Sequence, residues 1–314
     1  MTALHAPHCS IQVQDQKEKF LIDLFDTLWQ RYRGRMEYVR KYEEMILKYG
    51  AKFRNDHIAF RTIALEKPAL GIFCISRIFE ALGYRPIACY EFPDKSLSSI
   101  HFEHANLEFP KLFITELKSW ELSLPSQKII QKVLKNHDRI FSDENIRALA
   151  HLIQISDEER KRLLRLCSKY FEKLPWGLPN KEQVLTLNQE TQYGAWVLVN
   201  GYDVNHFTAL VNSHEVPALD DIEKVVAEMR NCGIPMKKEI EGERGTKLRQ
   251  SSTESVVIDA KVREGSKIVA LPWSYAYFEI AERPFFKNPV TEKMERFEGF
   301  LGAQATKLFD MTKL

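Results

Sequence analysis

The sequence predicts an α+β fold: two repeated βαβββ units form a paired half-barrel, preceded by an N-terminal helical segment and separated by a helical insert. Three observations predict it. The first is an internal repeat. "HIAFRTIALEKPALGIFCISRIFEALGYRP" from His57 aligns with "HFTALVNSHEVPALDDIEKVVAEMRNCGIP" from His206, and each copy carries "PAL" eleven residues after its histidine. The second is period-two alternation in "RNDHIAFRT", where Ile58 and Phe60 share one strand face while His57, Ala59 and Arg61 share the other. The third is a stretch of helical periodicity with capping signals between the two copies.

The elements follow in order. Residues 1–50 read as the N-terminal helical segment: a loose leader to about residue 15, then a helix with Phe20, Leu21, Leu24, Phe25, Leu28 and Trp29 at three- and four-residue spacing. Gly34 is expected to interrupt that pattern. A second helix follows with Tyr38, Tyr42, Met45, Ile46 and Tyr49, ending at Gly50, which suits a C-terminal cap. Residues 51–118 form the first unit. After its opening strand comes an amphipathic helix through Ile72, Ile75, Phe79 and Leu82, stopped by Gly83, and then strands around "PIACYEF", "SSIHFEH" and "KLFITEL".

Residues 119–180 are the helical insert, with a helix opened by Pro125, N-caps at Ser142 and Ser156, and a capping box formed by Ser156 and Glu159. "PWGLPN" closes it. Residues 181–285 form the second unit, with strands expected to return after residue 190. Its helix carries Ile222, Val225, Val226 and Met229 and stops at Gly233; "TKLRQSST", "SVVIDAKV" and "AYFEIAE" supply the later strands. Residues 286–314 are a C-terminal segment. A repeat of this length is too long for a solenoid unit, whereas a half-barrel pair encloses a cavity. Polar residues on strands then line that cavity.

Composition excludes several classes. A net charge of +2 with only short basic runs, such as Lys237-Lys238, gives no footprint for nucleic acid or an anionic membrane. Five scattered cysteines, Cys9, Cys74, Cys89, Cys167 and Cys232, never spaced CxxC, argue against a zinc finger or a disulfide framework. No apolar run of 18 residues and no signal peptide are apparent, so the expectation is a cytoplasmic enzyme or binding protein.

The repeat places the chemistry. His57 and His206 occupy equivalent first-strand positions and should meet across the pseudo-twofold axis. In "YAYFEIAER" a strand places Tyr275, Tyr277 and Glu279 on one face. A carboxylate among aromatics needs a partner, because an unpaired buried charge costs several kcal/mol. Two imidazoles and one carboxylate around a cation meet that need, and this set suits non-haem Fe(II) chemistry. Competing candidates are His101 and His104 in "SSIHFEHANLEF", and Glu116 in "FITEL". A symmetric set of His57, Glu116, His206 and Glu279 would instead suit a Zn or Ni lyase or isomerase of the glyoxalase type. A metal-free small-molecule binding protein is the third alternative. His5, His8, His137 and His151 read as structural or surface residues, and His214 as a loop residue.

"DHIAFRT", "PKLFITEL", "NHFTAL", "LRQSST" and "YFEIAERP", in that order and spacing, resemble the 2-oxoadipate dioxygenase/decarboxylase family over about residues 15–290. That family has a vicinal-oxygen-chelate-like fold. The resemblance implies Fe(II) held by His57, His206 and Glu279, with Arg61 binding substrate. It implies that a 2-oxo dicarboxylic acid and O₂ are the small-molecule partners, giving a shortened 2-hydroxy acid and CO₂. Gln250 and Ser252, on one strand face of "LRQSST", are candidate substrate hydrogen-bonders, and Tyr275 and Tyr277 candidate cavity walls.

Overall fold

The computed structural model describes residues 7–138 and 141–299. His5 and residues 300–314 of the C-terminal segment lie outside these. In chain order the elements are α1 (Gln16–Arg35), α2 (Glu37–Lys48), β1 (Asn55–Ala64), α3 (Ile72–Ala81), β2 (Tyr84–Phe92), β3 (Leu97–His104) and β4 (Lys111–Lys118). The insert contributes α4 (Leu124–Leu134), α5 (Asp143–Ala150) and α6 (Asp157–Glu172), and the stretch after residue 180 adds α7 (Lys181–Glu190) and α8 (Gln192–Asn200). Then come β5 (Val204–Leu210), α9 (Ile222–Asn231), β6 (Arg249–Ser252), β7 (Val256–Glu264), β8 (Lys267–Ala276), β9 (Glu279–Glu282), β10 (Phe285–Lys287) and β11 (Met294–Arg296).

One seven-stranded sheet, ordered β2-β3-β4-β1-β5-β9-β6, joins the two units. The first strands of the units, β1 and β5, run antiparallel at its centre, and each has its own unit's last strand parallel on its outer side, β4 beside β1 and β9 beside β5. This is the pseudo-twofold arrangement the repeat predicts. Helices α3 and α9 bury the apolar positions expected of them, Ile72, Ile75 and Phe79 in one and Ile222, Val225, Val226 and Met229 in the other. Gly83 and Gly233 follow them at φ 109° and 70°, the left-handed region that ends a helix without a Cβ clash.

The sheet has two unlike faces. Phe60 packs on Phe79 of α3 and Phe171 of α6, with ring centroids 5.5 and 5.1 Å apart, while Phe207 meets Trp29 of α1 edge-on at 5.0 Å. The other face carries His57, Arg61, His206 and Thr208, all buried. Hydrophobic burial on the first face fixes the register that presents polar groups on the second, since a one-residue slip would invert both.

Four local expectations are corrected. Gly34 lies inside α1, whose break falls at Met36, in extended conformation; one glycine weakens a helix by only about 1 kcal/mol. Strands do not return at residue 190. Residues 192–200, "QYGAWVLVN", form α8, buried on nearly every side, and an apolar run of that kind has no periodicity to separate strand from helix. Ser156 caps α6 through Glu159 N–H, but the reciprocal capping box belongs to Asn180 and Gln183 at α7. Finally, "SVVIDAKV" leaves the main sheet: β7 pairs with β8 in a separate hairpin, so the second unit gives the main sheet three strands against four from the first. The inward positions of β7, Ala260 and Val262, are buried, and Asp259, Lys261 and Arg263 face outward. This hairpin packs on α8.

Candidate metal centre

Three adjacent strands assemble the centre. On β1 His57 sits opposite Thr208 of β5, and Thr208 sits opposite Glu279 of β9. His206, two residues before Thr208, shares its face and lies opposite Ala59. Among the described residues, His57, His206 and Glu279 form the one grouping of three metal-ligating side chains whose donor atoms all lie within 4.8 Å of one another. His57 Nε2 is 3.3 Å from His206 Nε2 and 3.4 Å from Glu279 Oε1, and His206 Nε2 is 3.9 Å from Glu279 Oε2.

Two bulges aim the imidazoles. The β1–β5 register shifts at Asp56, and again at Asn205, the residues immediately before each histidine. A bulged residue adds one position and redirects its side chain. Here each lies beside its neighbour's ring: Nδ1–H of His57 donates to Asp56 Oδ2 at 2.8 Å, and Nδ1–H of His206 donates to Asn205 Oδ1 at 3.0 Å. Both bonds put the proton on Nδ1 and leave the Nε2 lone pairs facing the centre. The chain carries the doublets "DH" at 56–57 and "NH" at 205–206, and only the bulges give them this role.

The electrostatics fit a cation. Burial holds both imidazoles below their ordinary pKa, His206 well below, with His57 and Arg61 adding to the effect on His206, while Asp56 pulls His57 partly back. Burial pushes the Glu279 carboxyl well above the usual range, and Glu241 and Asp56 push it further. Its Oε2 is fully buried, with no hydrogen-bond partner among the described residues. Two imidazole lone pairs and a carboxylate at these distances repel one another unless a positive ion lies among them. The donor set, two nitrogens and one oxygen, matches a divalent transition metal with coordination positions left open. Thr208, unremarked in the sequence, sits between the ligands, its Oγ1 2.9 Å from His57 Nε2 and donating to Glu279 Oε1 at 3.3 Å.

Glu116 is not part of this centre. It pairs with Thr62 on β1 and lies on the helix-covered face, where Oε2 accepts from Ile72 N–H at the start of α3 at 2.8 Å. The local twofold exchanges His57 with His206 and Ala59 with Thr208. The position equivalent to Glu279 is therefore Phe113, which pairs with Ala59. An aromatic ring takes the place of a fourth candidate there, 4.9 Å from the His57 ring. Glu116→Gln should accordingly retain metal and turnover and, because the glutamine amide oxygen can still accept, lose less stability than the about 0.5–2 kcal/mol of a deleted helix-capping acceptor. A melting curve beside a metal assay checks this; loss of metal would restore the four-ligand reading.

The remaining candidates divide. His101 lies on the site face beyond Phe113, held by Glu103 and the Tyr90 hydroxyl at 3.0 Å each. His104 accepts from Asn106 N–H and packs on Tyr84 and Phe109. His8, His137 and His214 make structural contacts with Asp26, Tyr202 and Tyr42. Tyr277 stacks on His206 at 4.6 Å and walls the site. Tyr275 does not; its ring lies under the Arg35 guanidinium. The chain crosses from β8 to β9 between them and Glu279, which breaks the alternation on which their shared face was expected. Gln250 and Ser252 pair with Ala281 and Glu279, so both lie on the site face. The amide of Gln250 donates to Glu241, and its Oε1 has no partner among the described residues. Arg61 is buried between the rings of Tyr193 and Trp196, 4.9 and 5.1 Å from their centroids. Both rings come from α8.

A two-unit sheet that brings His57 and His206 of its first strands beside Glu279 of a last strand has a fold of the glyoxalase type. A protein from Ralstonia eutropha JMP134 described as a glyoxalase-superfamily member shares this fold, with a TM-score of 0.80 at 19% identity over 95% of this chain and 92% of the other. The family model for 2-oxoadipate dioxygenase/decarboxylase matches residues 36–295, and the chain belongs to that family of enzymes. A chloroplastic 2-oxoadipate dioxygenase/decarboxylase of Arabidopsis thaliana is 29% identical over 88% of this chain and 71% of its own length. The hydroxyglutarate synthase of Oryza sativa, solved in complex with 2-oxoadipate, superposes with a TM-score of 0.76 at 25% identity, covering 99% of this chain and 97% of the other. Among the described residues no helix is long and apolar enough to cross a membrane.

Proposed function

We propose that this chain is an Fe(II)-dependent dioxygenase/decarboxylase that converts a 2-oxo dicarboxylic acid, 2-oxoadipate or a close analogue, with O₂ to a 2-hydroxy acid one carbon shorter and CO₂. The observation that carries it is the convergence of His57, His206 and Glu279 on the sheet face that also bears Arg61. With 2-oxoadipate the product is 2-hydroxyglutarate, and the atoms balance: one oxygen of O₂ enters the new carboxylate and the other the hydroxyl.

When bound, the iron supplies the redox chemistry for O₂ and the 2-oxo acid. The chain does the rest. His57, His206 and Glu279 would hold the ion, and a three-residue donor set would keep coordination positions open to the substrate and O₂. Arg61 grips the far carboxylate, and Ala59, directly opposite His206, leaves room for the methylene chain between. Gln250 and Ser252 offer hydrogen bonds beside Glu279. Tyr277 and Phe113 bound the site with rings, which keeps water from the reacting carbons. A cytoplasmic location stays part of this reading, although the plant relatives carry chloroplastic names.

Oxygen uptake and CO₂ release with 2-oxoadipate test the reading. One of each per 2-oxo acid consumed is expected, and undiminished product formation under strict anaerobiosis would overturn it.

A further inference from the structure

We propose that Asp56 and Arg283 are positioning residues that couple metal loading to the docking of the segment 297–299 that follows β11; the inference rests on the metal-centre reading above. Arg283 and Asp56 are both fully buried, and their ion pair is bidentate: Nε donates to Oδ1 at 2.7 Å and Nη2 to Oδ2 at 2.9 Å. The same Oδ2 accepts from His57 Nδ1–H. The remaining guanidinium nitrogen, Nη1, donates to the carbonyls of Phe297 at 2.8 Å and Gly299 at 3.0 Å. One planar cation therefore touches, at one edge, the carboxylate that orients a candidate ligand and, at the other, the backbone of the C-terminal segment.

Lys111 closes a second link. Its ammonium lies 3.7 Å from Asp56 Oδ1 and pairs with Glu298, the residue between the two carbonyls that Arg283 holds. Arg283 is fixed at its root as well, its backbone N–H donating to Asn212 Oδ1 at 2.8 Å. Among the described residues His206 has no such chain; its orienting partner, Asn205, is a neutral amide. The pseudo-symmetry is thus broken at the orienting residue, and the charged half is the one tied to residues 297–299.

The consequence is reciprocal. If segment 297–299 holds Arg283, Arg283 holds Asp56, and Asp56 aims His57, then an ion that favours the aimed imidazole also favours the docked segment, by the same factor. Partners that orient a ligating histidine typically carry about ten- to a hundredfold in metal affinity.

The test uses Co(II) as probe, with the full chain freed of metal. Affinity is read by competition with a chelator, ligand geometry by the Co(II) visible bands, and docking by hydrogen exchange of residues 294–299. In the wild type, Co(II) should slow exchange in that segment several-fold. Asp56→Asn should weaken Co(II) binding about tenfold or more, alter the visible bands and abolish the slowing. Glu298→Gln, at a half-exposed position that leaves the buried pair intact, should speed exchange and weaken Co(II) binding a few-fold. A wild type that binds Co(II) with unchanged exchange in the segment overturns the coupling alone. So does a Glu298→Gln protein whose segment loosens while its affinity and bands stay at wild-type values. A wild type that takes up no Co(II) overturns the metal centre itself, and the coupling with it.

Discussion

His206→Ala should lower metal affinity by more than about a hundredfold, beyond the loss typical of a residue that only orients a ligand, and should abolish turnover with it. The fold should survive. His206 sits opposite Ala59, and burial holds its imidazole neutral, so alanine removes neither a buried charge nor one side of an ion pair that packing depends on. Its Nδ1–H donates to Asn205, its neighbour in sequence, so the bond ties together no distant parts of the chain. The sharpest readout is the metal dependence of the melting temperature. An ion present at a hundred times its dissociation constant stabilises the native state by about 2.7 kcal/mol. In a chain of this size that raises the wild-type melting temperature by several degrees, since each kcal/mol shifts it by roughly 2–4 °C. The His206→Ala melt should be indifferent to added metal. Glu279→Ala should behave in the same way, and its metal-free form should gain stability at neutral pH. Its carboxyl is raised above the usual range, so in the wild type the cost of ionising it appears as pH rises above the ordinary glutamate value. Full iron occupancy in purified His206→Ala protein would remove the assignment.

The second large effect is expected at Arg61. It lies four positions after His57 on the same strand face, roughly 13 Å along the backbone. A diacid whose 2-oxo end lies at the ligands can present its far carboxylate to a side chain leaning back from that position. The guanidinium lies over the rings of Tyr193 and Trp196, which fix its plane, and a planar fork suits a bidentate carboxylate. Burial lowers its pKa, with Tyr277 and Tyr193 opposing, and a guanidinium stays charged across the working range. Losing one partner of such a pair costs about 2–5 kcal/mol. Arg61→Met should therefore reduce kcat/KM for a dicarboxylic 2-oxo acid by roughly two to three orders of magnitude, and reduce it far less for a monocarboxylic 2-oxo acid of similar length. Lysine should restore only part, since it keeps the charge but loses the planar fork and the ring contacts. If Arg61→Met lowers the melting temperature and leaves the preference between the two acids unchanged, Arg61 is a structural cation and the substrate clamp is excluded.

Much of this was legible in the chain. The repeat makes His57 and His206 equivalent, because the same strand–helix pattern at the same offsets must fold in the same way twice. Alternation placed Arg61 beside His57, since side-chain direction within one strand follows from the backbone alone. Helices α3 and α9 announced themselves by spacing and by the glycines that end them. Where the signal was local but ambiguous, as in "QYGAWVLVN", the reading went astray: a helix enclosed by a sheet and a hairpin has no polar side to betray its period.

What the sequence determined by itself is the set of groups within each strand that could act together: a histidine and an arginine on one, a histidine on its repeat, a carboxylate on a third. The tertiary structure alone decided between Glu279 and Glu116, since each is a strand carboxylate in the last strand of its unit. Pairing across the sheet sets Glu279 opposite Thr208 and between the imidazoles, and sets Glu116 opposite Thr62, on the reverse face. It also decided that Asp56 and Asn205 orient the rings, through bulges that exist only where β1 meets β5, and that Arg283 reaches Asp56 from 227 residues away. Side-chain direction is a property of one strand and is written locally. Register, bulges and buried ion pairs are properties of two segments in contact, fixed by burying Ile58, Phe60 and Phe207 against the helices, and no window of sequence contains both partners.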